Sequence, residues 1–448
     1  MRAIEIARAV TARHTTAAEM AEQALARIAA SDLNAIVTTD PERTRADAEA
    51  VDLRVASGET LALAGVPIAV KDNIWVEGWR ITQGSRLFAD FVAPEDAIAI
   101  ARLRRAGAVI VGIGATSEFA CKGVTTSPLY GPTHHPRDSR LTPGGSSGGP
   151  AAAVAAGLVP LAIGTDAGGS SRRPPAHVGV VGFKPSYGAI PYGPGFAEPF
   201  WRISVIAPIT TDVADARLAF DVMAGADARD PDSFDLSSAA AGAPLRLAFS
   251  PRLGLDVAVD DEVSGVLQQA VERLRASGLA IVDRDPVWPS GLAEDAVMPL
   301  QHAGLAALYG DTFRSDPAQF DPDIAKQIER GLTLSGANVG RALEASTQIA
   351  RAFAAFFTEV DILLAPTVPC VAWPLTQLGP FEIGGKPAAP RAHAVFTPYA
   401  NHAGVPAISI PCGNNAQGLP FGLQLIAARG HDRVLLDFTA RAERVLQG

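Results

Sequence analysis

The sequence predicts an α/β fold built on a largely parallel sheet, and three observations carry that expectation. Two short β-branched runs, VPIAV at 66–70 and AVIVGIG at 108–114, flank the helical EDAIAIARLRRAG, which is the pattern of a βαβ unit. It recurs as LRLAFS at 245–250 and LAIVDR at 279–284 around DDEVSGVLQQAVERLRASG. The 448 residues are 48% hydrophobic and 19% charged, which provides for a large core and argues against disorder.

Taken in order, Thr16 and Glu19 have capping-box spacing at the head of AAEMAEQALARIAAS, and residues 41–57 read as a second helix before Gly58. Residues 118–138 are long and turn-rich, which in a compact domain marks a functional loop. The adjacent His134 and His135 within it point apart, suiting surface or hydrogen-bonding roles better than a metal. Pro150 opens a helix, where its missing N–H is harmless. Residues 191–204 collect aromatics as either a pocket wall or ordinary core, and 210–225 form a helix closed by Gly225. A polar seam follows at 226–244, then a mostly helical stretch at 291–358. The runs ILLAP, AISIP and GLQLIA rejoin the sheet before a last helix from Asp432.

The formal net charge of -9 disfavours a nucleic-acid surface. Cys121, Cys370 and Cys412 are widely spaced without zinc-like spacing, so free thiols in a reducing cytoplasm are expected. No apolar h-region opens the chain and no run reaches about 18 apolar residues, so neither export nor a membrane is expected.

Residues 141–187 draw the chemistry together. Two Gly/Ser knots, 144–149 and 168–171, flank an Ala/Val/Leu run that must be buried, and glycines beside a serine expose a hydroxyl and several N–H groups to a ligand. The first knot lacks the lysine of a phosphate loop. It fits G-x-S-x-G but follows no strand, and it runs too directly into apolar sequence to be a linker. A serine pair needing a base from elsewhere remains. Only five of the 38 Lys and Arg residues are lysines, and Lys71 ends an apolar run. Lysine there is either a paired structural cation or one kept neutral by burial.

GVPIAVKDN at 65–73, TPGGSSGG at 142–149 and GTDAGGSSRRP at 164–174, in that order, resemble the amidase signature family of Ser–Ser–Lys amide hydrolases. The resemblance implies one α/β/α sandwich over 1–448, with a large twisted mixed, mostly parallel sheet covered by helices on both faces. It places a variable, mostly helical substrate side around 226–358. It implies Lys71 as base, Ser146 as bridging serine after a cis peptide, and Ser170 as nucleophile. The backbone amides of Ala167, Gly168, Gly169 and Ser170 would form the oxyanion hole. Cys121, Lys122 and Gly123 would line the acyl pocket, Asp166 and Arg172 would brace the nucleophile loop, and Ser147 would support Ser146.

Amide hydrolysis needs an activated nucleophile, a stabilised oxyanion and a proton for the leaving nitrogen, and the implied residues supply all three without cofactor or metal. The expected partner is a small-molecule amide, with a homodimer left open. A glutaminase-type catalytic subunit of a tRNA-dependent amidotransferase is the alternative, against which residues 203–208 read ISVIAP in place of a DQIGP-like segment. A dead binding protein and a Ser/His/Asp esterase are the other readings. Arg173 and Lys122, if they face the pocket, favour a polar or carboxylate-bearing acyl group over a fatty one.

Overall fold

The computed structural model describes residues 2–236, 244–290, 292 and 295–447. Its main sheet has eleven strands among those residues. In chain order they are β1 Ile36–Thr38, β2 Pro67–Lys71, β3 Val109–Gly114, β4 Leu161–Asp166, β5 Val181–Lys184, β6 Val205–Thr210, β7 Leu247–Phe249, β8 Ile281–Asp283, β9 Ile362–Pro366, β10 Ala407–Asn414 and β11 Pro420–Ala427. Across the sheet they run β1-β3-β2-β4-β6-β5-β10-β11-β9-β7-β8.

Both βαβ units form. β2 pairs parallel with β3 through Ile98–Arg105, and β7 with β8 through Asp261–Ala276. The sheet is mixed, as expected, but not mostly parallel. Four strand pairings are parallel and six antiparallel. The tight turn at Asn415, whose Oδ1 accepts from Gln417 N and Leu419 N, permits only an antiparallel β10–β11 pair. Strand β6 reverses direction between β4 and β5. Every residue of β3, β4, β9 and β11 is buried, so both faces of the sheet are covered.

The expected helices appear as Ala17–Ala29, with its Thr16/Glu19 capping box, Pro41–Ala56 and Val213–Met223. Met298–Ser315, Pro322–Leu332, Gly336–Phe356 and Asp432–Gln447 follow. Pro150 is the third residue of its helix, Gly148–Ala155, rather than the first. Of the expected seam at 226–244, residues 237–243 lie outside the described residues, as do 291, 293 and 294 of the helical stretch. The 118–138 loop is irregular apart from one short helical turn and two two-residue strands. In it His134 Nδ1 and His135 Nε2 donate to the carbonyls of Ser139 and His177, each at 2.8 Å. No described helix is long and apolar enough to cross a membrane.

What the sheet positions is a pair of strand ends. Strands β2 and β4 are parallel neighbours with Val70 opposite Ile163, so Lys71 and Thr165 emerge side by side where their strands leave the sheet. Such carboxyl ends are where α/β sheets bind ligands. Gly182 on β5 closes the underside, since a Cβ there would lie 1.9 Å from Ser171 O. Gly182→Ala should therefore lower unfolding stability by about 1–3 kcal/mol. Gly265→Ala, in a helix where a Cβ meets nothing within 4 Å, should be neutral or stabilising; urea titration of both variants checks the contrast.

Candidate active site

Lys71, Ser146 and Ser170 meet in one line. Lys71 Nζ donates to Ser146 Oγ at 2.9 Å, and Ser146 Oγ donates to Ser170 Oγ at 3.0 Å. Lys71 and Ser146 are wholly buried, and Ser170 is 6% exposed. Ser146 follows a cis peptide bond from Gly145. Thr125 Oγ1 anchors the knot by donating to Gly144 O and accepting from Gly148 N, both at 2.9 Å. Ser147 Oγ donates to Thr165 O at 3.2 Å, so the knot is pinned to the end of β4 as well.

The second knot is organised by Asp166, the last residue of β4. Its carboxylate accepts from Gly169 N at 2.7 Å, from Ser171 N and Oγ, and from Arg172 Nε and Nη2. Arg172 in turn donates to Thr397 O, Gln424 Oε1 and Asn401 Oδ1. One amide of the expected oxyanion set is thereby engaged within the protein. Gly169 spends its N–H on Asp166, while the amides of Ala167, Gly168 and Ser170 make no hydrogen bond within the described protein. Glycine is required at 169, where φ is +113° and a Cβ would lie 2.0 Å from Thr397 Oγ1. That hydroxyl donates to Gly168 O at 2.7 Å.

Burial pushes Lys71 down from 10.5 to about 7, against the opposing pull of Asp166. Lys184 is also pushed to about 7, by burial and then by Arg172. Geometry distinguishes the two, because among the described residues Lys184 Nζ donates only to Pro185 O, which has no proton to give up. Burial alone would raise Asp166, but the Arg172 guanidinium holds its carboxyl far below the usual range.

Ser170 opens onto a cavity of about 540 Å³. Its lining includes Cys121, Lys122, Gly123 and Arg173, and also Phe200 and Ile203 from the aromatic stretch. Lys122 brings no free charge, since its Nζ lies 2.6 Å from Asp321 Oδ2 and 3.9 Å from Asp323 Oδ2. Burial holds the Cys121 thiol protonated. Gly123 sits against His393, leaving no room for a Cβ. No cluster of three or more His, Cys, Asp or Glu suited to a metal occurs among the described residues.

Sequence reasoning missed several residues. Thr165 Oγ1 accepts from Lys71 Nζ at 2.9 Å and from Asn73 Nδ2 at 3.0 Å, orienting the amine. Its signal was available in the GTD that precedes the second knot. Thr397, Asn401 and Gln424 carried none, since only the fold brings them to Arg172.

Residues 19–436 match the Amidase family. A glutamyl-tRNA(Gln) amidotransferase subunit of Deinococcus deserti is 38% identical, over 99% of this chain and 96% of the relative. An acylamidase of Rhodococcus erythropolis is 36% identical over 99% and 95%. A solved bacterial aryl acylamidase of the amidase signature family superposes with a TM-score of 0.91 at 28% identity, covering 99% of this chain and 96% of that one.

Asp166→Asn should lower stability by about 3–5 kcal/mol, because it keeps the shape but leaves the buried Arg172 charge without its anion. Denaturant unfolding at neutral pH checks it. A loss no larger than that of an exposed Asp→Asn change would show that Asn401 and Gln424 suffice to hold Arg172.

Proposed function

The chain belongs to the amidase signature family, and from that premise we propose that it hydrolyses the C–N bond of a small-molecule amide through an acyl-enzyme on Ser170. Ser146 relays protons and Lys71 is the general base. The observation that carries this reading is the buried Lys71–Ser146–Ser170 line, ending on an amine brought to about 7.

Neutral Lys71 has a lone pair, so the hydroxyl hydrogens can turn to point from Ser170 to Ser146 and from Ser146 to Nζ. As Ser170 Oγ attacks the carbonyl carbon, its proton passes to Ser146 and that of Ser146 to Lys71. The negative oxygen so formed faces the amides of Ala167, Gly168 and Ser170, donors fixed before the reaction begins. Return of the proton through Ser146 to the leaving nitrogen breaks the C–N bond and leaves the acyl-enzyme. Water enters by the same relay and releases the acid. No described histidine hydrogen-bonds Ser146 or Ser170. His177, pushed to about 3 by burial, has neither ring nitrogen partnered, which argues against a Ser/His/Asp esterase.

A second reading, the catalytic subunit of a tRNA-dependent amidotransferase, is favoured by the 38% identity to one such relative. Ammonia release from glutamine that requires a partner complex would select it over a free-standing amidase.

Ser170→Ala and Lys71→Ala should each reduce kcat by about 10⁴-fold or more in folded protein. Ser146→Ala should be nearly as damaging, and near-normal turnover of any of the three on a panel of aryl, aliphatic and carboxylate-bearing amides would overturn the relay. The pH dependence has a definite sign. Lys71 works as the free amine, so kcat/KM should rise with pH through about 7 and level off above it. A profile flat across that interval, with chemistry rate-limiting, would remove Lys71 as the base.

A further inference from the structure

The outer wall of the cavity is closed by charge at a point where carbon would have closed it as well. Lys122 lines the cavity together with Ser170, and its Nζ reaches across to Asp321, the residue that caps the helix Pro322–Leu332, at 2.6 Å. The two side chains are 6% and 8% exposed. Asp321 is held from two further directions, because its N–H donates to Glu118 Oε2 at 2.7 Å and its Oδ1 accepts from Asp323 N at 2.9 Å. Glu118 is fixed in turn by Ser85 Oγ, which donates to its Oε1 at 2.7 Å. Alongside, Gln301 and Gln327 both donate to Cys121 O, at 3.3 and 3.4 Å. The lysine is thus stretched across the seam between the 118–138 loop and the helices that face it.

Stability does not account for this bridge. Replacing a buried ion pair by apolar side chains of similar volume is often neutral or stabilising, and Phe119 and Cys121 already share one apolar cluster with Leu305, Ile324 and Ile328 of the facing helices. The loop also spends strain here: Phe119 and Ala120 are consecutive non-glycine residues with left-handed backbone, at φ 51° and 60°, an arrangement that folds retain where a side chain must be aimed. The turn they make delivers Lys122 to the cavity. Ala167 packs on the same cluster, so a chain that leaves the carbon attacked by Ser170 and passes Ala167 runs along this loop to the bridge. Behind the bridge lies the surface, since Asp323, 3.9 Å from the same Nζ, is 27% exposed. We propose that the Lys122–Asp321 bridge is a plug that sets the length of the acyl group, with short chains fitting in front of it and longer ones stopped by the lysine methylenes. This rests on the reading of Ser170 as nucleophile.

Straight-chain alkylboronic acids from propyl to octyl read the plug as inhibitors, without turnover of the probe. Ser170 Oγ adds to boron with formation of an O–B bond, its proton passes through Ser146 to Lys71, and the alkyl group takes the place of the acyl chain. Each methylene buried should tighten binding about 4-fold. In wild-type protein that gain should stop short of octyl, and an unbroken rise to octyl overturns the proposal before any variant is made. Lys122→Ala combined with Asp321→Asn removes both charges and keeps a capping side chain. It should extend the rise and tighten octyl relative to propyl by about 10-fold or more over wild type. Lys122→Met combined with Asp321→Asn keeps the bulk of the lysine and should leave the wild-type cut-off in place. A cut-off unmoved in the first variant, or moved as far in the second, overturns the plug. Propylboronic acid binding undiminished by Ser170→Ala would instead sink the reading of Ser170 as nucleophile, and this proposal with it.

Discussion

The buried pair of Asp166 and Arg172 is the interaction on which the site depends. Both side chains are completely inaccessible, and the cost of taking two charges from water is met only where every remaining donor and acceptor is used. Here they are used by the loop around Ser170 itself, through Gly169 N, Ser171 N and Ser171 Oγ, and by Asn401 and Gln424 from the far end of the chain. The pair thus fixes the curvature that turns the Ala167, Gly168 and Ser170 amides outward. It also welds β4 to β11, so the loop cannot relax unless the sheet does. Asp166 has a folded pKa below its unfolded value, so its stabilisation is complete above the ordinary carboxylate range and is lost as pH falls through and below it.

Lys71 works in the opposite sense. Its folded pKa of about 7 lies below the unfolded 10.5, so the unfolded chain binds more protons between those values and stability rises with pH across that window. Below about 7 the amine is charged in both states and its burial weighs fully against folding. The fold carries that cost at a strand end surrounded by all-buried strands, while the same burial frees the lone pair. Thr165 and Asn73 orient the amine without neutralising it. A carboxylate in their place would have restored the charge.

Much of this was legible in the residues because the legible parts are local. Lys71 stands out as a scarce lysine at the end of an apolar run, and Ser146 and Ser170 stand in glycine knots. Asp166 and Arg172 bracket Ser170 at a spacing that suggests a pair. What could not be read is long-range. Strand direction is invisible in an apolar run, because ILLAP buries equally well either way, so a sheet expected to be mostly parallel proved antiparallel at most of its pairings. The fate of Lys122 depended on Asp321, 199 residues away. The bond from the Gly169 amide to Asp166 could not be foreseen, because motif spacing does not say which N–H groups a neighbouring carboxylate will claim.

The cavity is built from two materials. Its floor belongs to the main core, where Lys71, Ser146 and Ser170 are held by the strands and by Asp166. Its outer wall rests on a separate apolar cluster in which Phe119, Cys121 and Phe200 pack with Leu305, Tyr309, Phe320, Ile324 and Ile328. That cluster joins the 118–138 loop and Phe200 to Phe320 and the helices Met298–Ser315 and Pro322–Leu332. Lys122 bound to Asp321, and Glu118 accepting from Asp321 N at 2.7 Å, tie the same parts together. Because this satellite core is distinct from the main one, its side chains can change volume with the cost confined to a few neighbours. Reshaping that wall therefore need not disturb the Lys71–Ser146–Ser170 line, which the strands and Asp166 hold from the floor.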